Sequence, residues 1–471
     1  MKKQIINLII ITLISTFSIM AQEVTGTWNG AIEIQGMQLR IVFNIDKNDT
    51  GYSSTMDSPD QGAKGIKMDE TTFKENTLNI KAAAMAFEYN GKISEDQTNI
   101  DGKVTQGGME MPLTLKREKI EKKETEKRPQ DPIDFPYEQE DIKFVNPKGG
   151  HSLAGTLTTP SDGNFDKVVV LISGSGPQNR NEEVAIFNHR PFLVLSDYLT
   201  RKNIAVLRYD DRGVGESEGD QEDATSKDFA DDVIAAVDFL KTRKEFNGKK
   251  IGLAGHSEGG MIAPIVASER KDIDFIVLMA GPGVPIQELM VQQSIDALKD
   301  APIPEETKSA NVKIVKEVYD CINADKSLDG ESIKPELNKI LAKGYDSFPE
   351  ESQKEIGDKD AFIESQLKTM TGKWFMYFLR FDPAQYVSKV QCPVLAVNGA
   401  LDIQVSAKEN LAGIKKALEE GGNKDFEIKM FDNQNHLFQT AETGAISEYK
   451  EIEETFNEGS MKYIADWINK Q

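Results

Sequence analysis

The chain has 471 residues, of which 39% are hydrophobic, 8% aromatic and 28% charged. These values are typical of folded globular proteins and exclude a disordered or multi-span membrane chain, and the length predicts two or three domains. The formal net charge of −21 disfavours nucleic acid as a partner, because acidic surfaces repel phosphate backbones. Two cysteines, Cys321 and Cys392, are too few for a disulfide framework or a Cys-rich zinc site.

The first 21 residues have the pattern of an export signal. Lys2 and Lys3 precede a mainly apolar stretch from 5 to 20, after which the sequence turns polar. An uncleaved anchor is the weaker alternative, because the stretch is shorter than the roughly 20 apolar residues of a spanning helix and contains hydroxyl side chains. We therefore expect a signal peptide over 1–21, export to the periplasm or beyond, and no stable membrane insertion after processing.

Residues 22–117 show the period-two pattern of antiparallel strands. Every second residue from 39 to 45 is apolar, which places one face inward. Asn90-Gly91 and Asp101-Gly102 are typical of two-residue hairpin turns. The pattern predicts a small β-barrel or sandwich. Its candidate roles are binding of an envelope component and self-association.

A charged, proline-containing segment follows this β-domain. Eleven of the thirteen residues from Lys116 to Arg128 are charged, and Pro129, Pro132 and Pro136 come next. Mixed charge without an apolar stripe cannot bury a core. We predict a solvated linker over 118–140.

From residue 141 onward, short apolar strands alternate with amphipathic helices. The strands are apolar on both faces, as in a parallel sheet that helices cover on both sides. They lie at 168–172, 204–207, 251–254, 275–279 and 394–397. Residues 141–471 are therefore predicted to form an α/β fold with a doubly wound, mostly parallel sheet.

About a hundred residues, from 285 to 390, interrupt this alternation. They show no strand pattern and consist of amphipathic segments separated by Pro302, Pro304, Pro335 and Pro349. Such a stretch is too long for an ordinary connection between two strands. We expect it to form a helical cap above the carboxyl edge of the sheet.

One predicted strand runs into a sequence that suits a nucleophilic serine. Gly255-His256-Ser257-Glu258-Gly259 follows the apolar run 251–254 and precedes an apolar helix start at Met261-Ile262. In such a turn the serine hydroxyl projects from the sheet edge, and the flanking small residues let the helix pass close to the strand. Because both the strand and the helix are present, Ser257 is a candidate nucleophile.

A serine nucleophile needs a base, usually a histidine that a carboxylate orients. The chain has four histidines: His151, His189, His256 and His436. The first two lie away from the strand ends that carry chemistry, and the third is adjacent to the serine and points elsewhere. This leaves His436, in the polar loop after the last predicted strand, 426–431. Asp402, just beyond strand 394–397, is the candidate carboxylate.

Two backbone amides are candidates for an oxyanion hole, the pair of donors that stabilises negative charge on the substrate carbonyl. One is the amide of Glu258, directly after the nucleophile. The other is that of Ser175, in the glycine-rich loop 173–180 after strand 168–172. A phosphate-binding loop is the alternative here, but the following lysine and helix start are missing.

Residues 141–471 resemble the α/β hydrolases, in particular the bacterial exported carboxylesterases and serine aminopeptidase-like enzymes. The resemblance rests on four motifs: the elbow 255–260, the turn 209–217, the loop 174–180 and Phe381-Asp382-Pro383. The chain order Ser257, Asp402, His436 is also that of these enzymes. Ser173 stands where they usually have histidine.

The resemblance implies a serine hydrolase that cleaves a small carboxylic ester through an acyl-enzyme on Ser257, with no cofactor and no metal. An exopeptidase of the same fold is one alternative. Such an enzyme needs an acidic residue to bind the amine of its substrate, and no single acidic residue of this chain can be assigned to that role. An envelope binding protein with a degenerate hydrolase domain is the other. The intact serine, aspartate and histidine argue against degeneracy.

Overall fold

The computed structural model describes residues 24–34, 37–48, 51–59, 63–85, 87–106, 109–120, 127–299, 303–325 and 330–471. The predicted signal peptide lies outside the described residues. Two compact units divide the chain: the first contains nearly all of the strands from Gly26 to Lys116, and the second contains residues 127–471. Among the described residues, no helix is both long and apolar enough to cross a bilayer.

The first unit is one antiparallel sheet that rolls up on itself. Its strands are β1 (Gly26–Ile34), β2 (Met37–Asn48), β3 (Gly51–Ser58), β4 (Ala63–Lys67), β5 (Glu70–Lys74), β6 (Thr77–Ala82), β7 (Phe87–Ile93), β8 (Asn99–Gln106) and β9 (Met109–Lys116). They are ordered β4-β3-β2-β1-β9-β8-β7-β6-β5. Strand β5 nevertheless reaches β3, since the hydroxyls of Ser54 and Thr71 lie 2.7 Å apart. The described strands therefore form one curved antiparallel sheet, a half-barrel.

Asn90-Gly91 and Asp101-Gly102 were wrongly predicted as hairpin turns, because both pairs lie inside strands. Gly91 in β7 faces Gly102 in β8, and a Cβ on Gly91 would lie 2.3 Å from the Tyr89 hydroxyl. The two glycines clear space for that buried side chain, which donates a hydrogen bond to the Ile100 carbonyl at 3.0 Å. Close approach, and not positive φ, explains them.

The second unit is built on an eight-stranded sheet. Its strands are β10 (Tyr137–Asn146), β11 (His151–Pro160), β12 (Lys167–Ile172), β13 (Ala205–Tyr209), β14 (Lys250–His256), β15 (Phe275–Met279), β16 (Val394–Gly399) and β17 (Phe426–Phe431). The order is β10-β11-β13-β12-β14-β15-β16-β17. Strand β11 runs antiparallel to both of its neighbours, β10 and β13, and the pairs from β13 to β17 are parallel. The predicted α/β class is confirmed.

Twelve helices of the second unit are described, and several of them cover both faces of its sheet. They are α1 (Pro191–Arg201), α2 (Ser226–Thr242), α3 (Glu258–Glu269), α4 (Ile286–Leu298), α5 (Glu305–Ala324), α6 (Lys334–Ser347), α7 (Glu350–Ile356), α8 (Lys359–Met370), α9 (Lys373–Leu379), α10 (Ala384–Val387), α11 (Ala407–Glu420) and α12 (Glu458–Ile468). Val169 and Leu171 of β12 pack with apolar side chains of α1 and α12. Val168 and Val170 point to the other face and pack with α2, α3 and α11. This alternation explains why β12 is apolar throughout.

Helices α4 to α10 all lie between β15 and β16, in the region predicted as a cap. They have an apolar cluster of their own, built around Val318, Ile322, Leu337, Leu341, Ile363 and Met376. The insertion is therefore a small helical body with its own core.

The second unit begins earlier than residue 141, the predicted start. Strand β10 starts at Tyr137, and the preceding residues already bond to the unit: Arg128 donates to the Ile452 carbonyl at 2.9 Å and Gln130 to the Phe456 carbonyl at 2.8 Å. Asp131 pairs with Arg190. The segment has a linker's composition but is held by polar bonds and not by apolar burial.

Candidate active site

The turn between β14 and α3 carries Ser257 in a strained conformation. Its φ and ψ are 53° and −117°, in a region that residues with a side chain rarely adopt. The Ser257 amide donates to the Met279 carbonyl of the neighbouring strand at 2.9 Å, which holds the turn in place. The serine is half-buried at the carboxyl end of β14.

The glycines of the elbow are required by close backbone contacts. A Cβ on Gly255 would lie 2.0 Å from the Gly259 carbonyl oxygen, and one on Gly259 would lie 2.1 Å from that of Ile172. Both distances are far below van der Waals contact. The small residues on either side of Ser257 therefore let α3 start directly against the ends of β12 and β14.

Asp402 and His436 form a buried hydrogen-bonded pair. Asp402 follows β16 and His436 follows β17, and His436 Nδ1 lies 2.7 Å from Asp402 Oδ2. The other carboxylate oxygen, Oδ1, accepts the amides of Gln404 at 2.8 Å and Val405 at 2.9 Å. With Nδ1 donating to the carboxylate, Nε2 of His436 is the ring nitrogen left to accept a proton.

Ser257 lies beside this pair. The side chain of the preceding residue, His256, contacts the His436 carbonyl, with Nε2 3.0 Å from the oxygen. The two imidazole rings are 4.8 Å apart between centroids. Within the described part of the chain, the Ser257 hydroxyl makes no hydrogen bond to His436. Nucleophile–base contacts are often long in resting enzymes and shorten when substrate binds.

The loop after β12 passes directly over Ser257. A Cβ on Gly174 would lie 3.2 Å from Ser257 Cβ. The Gly174 amide is already bonded to Glu182 Oε1 at 2.8 Å. The amides of Ser175, in this loop, and of Glu258, at the N-terminus of α3, have no such acceptor among the described residues. The positive end of the α3 dipole adds to the second of these donors.

Ser173 and the turn after β13 brace this loop. Ser173 Oγ donates to Asp211 Oδ1 at 2.9 Å, and the Gln178 amide donates to Oδ2 at 3.0 Å. Asp210 accepts the amide of Arg180 at 2.8 Å and its Nε at 3.1 Å. Burial raises the pKa of the Asp211 carboxyl well above its usual range. Ser173, which stands where the enzymes that residues 141–471 resemble usually have histidine, therefore fixes the loop through the buried carboxyl group of Asp211.

Three side chains at the site were missed by sequence analysis. Glu182 is buried against His256, with its Oε1 2.9 Å from His256 Nδ1. Glu258 Oε1 accepts Ser226 Oγ at 2.6 Å and the indole Nε1 of Trp374 at 3.0 Å. Burial raises the pKa of the Glu258 carboxyl. Trp374 belongs to α9, so it connects the helical insertion to the residue after Ser257.

The remaining histidines belong to other networks. His151 Nε2 lies 3.0 Å from Asp232 Oδ1. His189 is fully buried, with Nδ1 2.9 Å from the Thr455 hydroxyl and Nε2 2.8 Å from the Tyr449 carbonyl. Burial lowers the pKa of His189. Of the four histidines, His436 is the one paired with Asp402.

A serine turn between a parallel strand and a helix, with a histidine–aspartate pair after two later strands, defines an α/β hydrolase. Residues 188–442, more than half of the chain, match the family described as serine aminopeptidase, S33. The chain belongs to this family of α/β hydrolases.

Two curated proteins are similar over part of their length. Esterase EstD of Thermotoga maritima is 26% identical over 306 residues, which cover 65% of this chain and 61% of EstD. The chain therefore spans less than two thirds of that relative. The uncharacterized protein YfhR of Escherichia coli O157:H7 is 28% identical over 145 residues, 30% of this chain and 47% of YfhR.

A solved structure is also similar. It is that of esterase Pf2001 of Pyrococcus furiosus, with 17% identity and a TM-score of 0.43, over 71% of this chain and 91% of that one.

Proposed function

We propose that the chain is an exported serine hydrolase that cleaves carboxylic esters through an acyl-enzyme on Ser257. The observation that carries this proposal is the 2.7 Å bond between His436 Nδ1 and Asp402 Oδ2, beside the strained serine turn. The name of the relative EstD supports an ester as the substrate. Export rests on the sequence pattern of the first 21 residues.

In this mechanism Ser257 Oγ attacks the ester carbonyl while His436 Nε2 takes its proton. Asp402 holds the ring in the required tautomer and stabilises the imidazolium that forms. The amides of Ser175 and Glu258 donate to the oxyanion. The alcohol leaves with the proton from His436, and a water molecule, activated by the same base, then releases the acid.

A fluorophosphonate probe tests the nucleophile. The whole chain is incubated with the probe, and the adduct is located by mass spectrometry. One adduct on Ser257, absent from Ser257→Ala, is the expected result. No labelling of the native chain, or equal labelling of the variant, would contradict the proposal.

Asp402→Asn tests the carboxylate. The amide cannot stabilise the imidazolium and favours the wrong tautomer, so we expect kcat to fall about 10⁴-fold with KM little changed. The control is Asp425→Asn, a carboxyl outside the site, which leaves kcat unchanged. A loss below tenfold in Asp402→Asn would contradict the assigned role.

An exopeptidase is the second candidate, because the matched family is described as serine aminopeptidase. Nitrophenyl esters of short acids and aminoacyl nitroanilides, assayed side by side, separate the two. We expect ester turnover to dominate. Preferential release of nitroaniline would favour the exopeptidase.

A further inference from the structure

A second carboxylate–histidine pair lies directly beside the first. His256 Nδ1 is 2.9 Å from Glu182 Oε1, and His256 Nε2 is 3.0 Å from the His436 carbonyl oxygen. His256 is 7% exposed and Glu182 is 3% exposed, so water competes little for these bonds. The mechanism above uses neither side chain.

The partners of His256 indicate that its ring is charged. A carbonyl oxygen and a carboxylate both accept hydrogen bonds, and only an imidazolium can donate from both ring nitrogens. The shared proton belongs on the ring, since an imidazole ordinarily titrates near ~6.5 and a glutamate near ~4.3. Burial opposes this charge, but the Glu182 carboxylate, the His436 carbonyl and Asp402 together outweigh burial, and the pKa of His256 is raised.

The pair joins the parts of the active site that come from different loops. Glu182 Oε1 also accepts the Gly174 amide at 2.8 Å, and the next residue, Ser175, supplies an expected oxyanion donor. The His436 carbonyl belongs to the base. His256 itself precedes the nucleophile.

The backbone is bent to place the Glu182 carboxylate here. Glu182 has a φ of 49°, a left-handed conformation that residues with a side chain rarely adopt. Its second oxygen, Oε2, is buried and makes no hydrogen bond among the described residues. The charge of Glu182 is therefore balanced through Oε1, the atom that faces His256 and Gly174.

We propose that Glu182 and His256 are positioning residues whose ion pair holds the oxyanion loop and the His436 loop against the nucleophile turn. The inference rests on the proposed function, since it concerns the same reaction. The charged or titratable groups that face His256 are Glu182, the His436 ring and Asp402. When His256 loses its proton, one of its two hydrogen bonds is lost and the loops separate.

Glu182→Gln tests the charge without removing the acceptor. The amide oxygen can still accept the Gly174 amide and His256 Nδ1, but His256 now loses its proton at lower pH. We expect kcat on the alkaline side of the profile to fall roughly 10- to 100-fold with KM little changed, as for a small displacement of catalytic groups. The deficit shrinks as the pH is lowered, because His256 of the variant is then protonated again.

Glu183→Gln is the matched control. It removes the same charge from the next residue, whose Oε1 lies 3.1 Å from Arg190 Nη1 and not near His256. We expect no change in the pH at which kcat declines on the alkaline side. A deficit in Glu182→Gln that is independent of pH, or equal in Glu183→Gln, overturns the proposal.

Nitrogen-15 NMR of the imidazole rings tests the native chain, so the proposal does not depend on whether a variant folds. Four histidines can be assigned by single substitutions. We expect His256 to keep protons on both ring nitrogens to a higher pH than the ordinary imidazole value of about 6.5. A His256 ring that loses its second proton at or below that value overturns the proposal.

Fluorophosphonate labelling separates this inference from the proposed function. If the native chain is not labelled at Ser257, the function itself fails. If the native chain is labelled but Glu182→Gln reacts at the same rate across the pH range, the function stands and the positioning role fails.

Discussion

Glu258 follows Ser257, the proposed nucleophile, where a negative charge would oppose the proposed oxyanion. Its carboxyl is buried against Ser226 and Trp374, and burial raises its pKa. Burial therefore disfavours a negative charge next to the proposed oxyanion site, and the two donors at Oε1 fix the side chain.

Glu258→Gln is expected to stabilise the chain at alkaline pH and to keep kcat within about threefold, because the catalytic amide is backbone. The pKa of Glu258 is higher in the folded state than in the unfolded state. Between these two pKa values the folded state binds more protons, so the free energy of unfolding falls as the pH rises through that range. The variant lacks this decline. We expect its Tm to exceed that of the native chain near pH 8 and the difference to vanish near pH 4, by calorimetry. A difference of the opposite sign would show that Glu258 is stabilised as a carboxylate.

At the scale of elements, helix α9 links the helical insertion to the turn that carries Ser257. The indole of Trp374 stacks on Phe378, with ring centroids 5.0 Å apart, while its Nε1 donates to Glu258. Helix α9 therefore contacts the site through one hydrogen bond, from Trp374 to Glu258, and the rest of this face of the helix is apolar.

Trp374→Phe removes that bond and keeps an aromatic ring. A neutral hydrogen bond contributes about 1 kcal/mol, so we expect KM for an ester to rise about fivefold with a smaller change in kcat, measured by steady-state kinetics. Tyr377→Phe is the control, since it removes a polar group of the same helix that does not contact Glu258. Equal effects of both changes would show that α9 acts through its general packing.

The sequence predicts those parts of the site whose geometry depends on residues that are adjacent along the chain. The elbow was recognisable because a strand, two glycines and a helix start are contiguous around Ser257. Asn90-Gly91 was wrongly predicted as a hairpin turn because the same dipeptide occurs in turns and in strands. Here its glycine lies in a strand and leaves space for the Tyr89 side chain. Glu182 and Trp374 gave no signal, since their partners lie 74 and 116 residues away along the chain.

At the scale of the whole molecule, the two units have separate apolar cores. Trp28 is fully buried in the first, where its indole donates to the Val24 carbonyl at 2.7 Å and the Arg117 guanidinium lies 3.8 Å from the ring centroid. Trp467 is buried in the second, among the side chains of α1 and α12. Because the predicted catalytic residues belong to the second unit, we expect activity to follow the folding of that unit. Destabilising each unit in turn tests this.

We expect calorimetry of the native chain to show two unfolding transitions, one for each core. Trp28→Ala leaves a cavity and should lower the free energy of unfolding of the first unit by about 3–5 kcal/mol. We expect this change to move one transition to lower temperature and to leave kcat, measured at about 25 °C, unchanged. Trp467→Ala should move the other transition, and activity after heating should decline with it. A single transition that both substitutions lower equally would show that the units unfold together, and ester turnover would then be lost with either tryptophan.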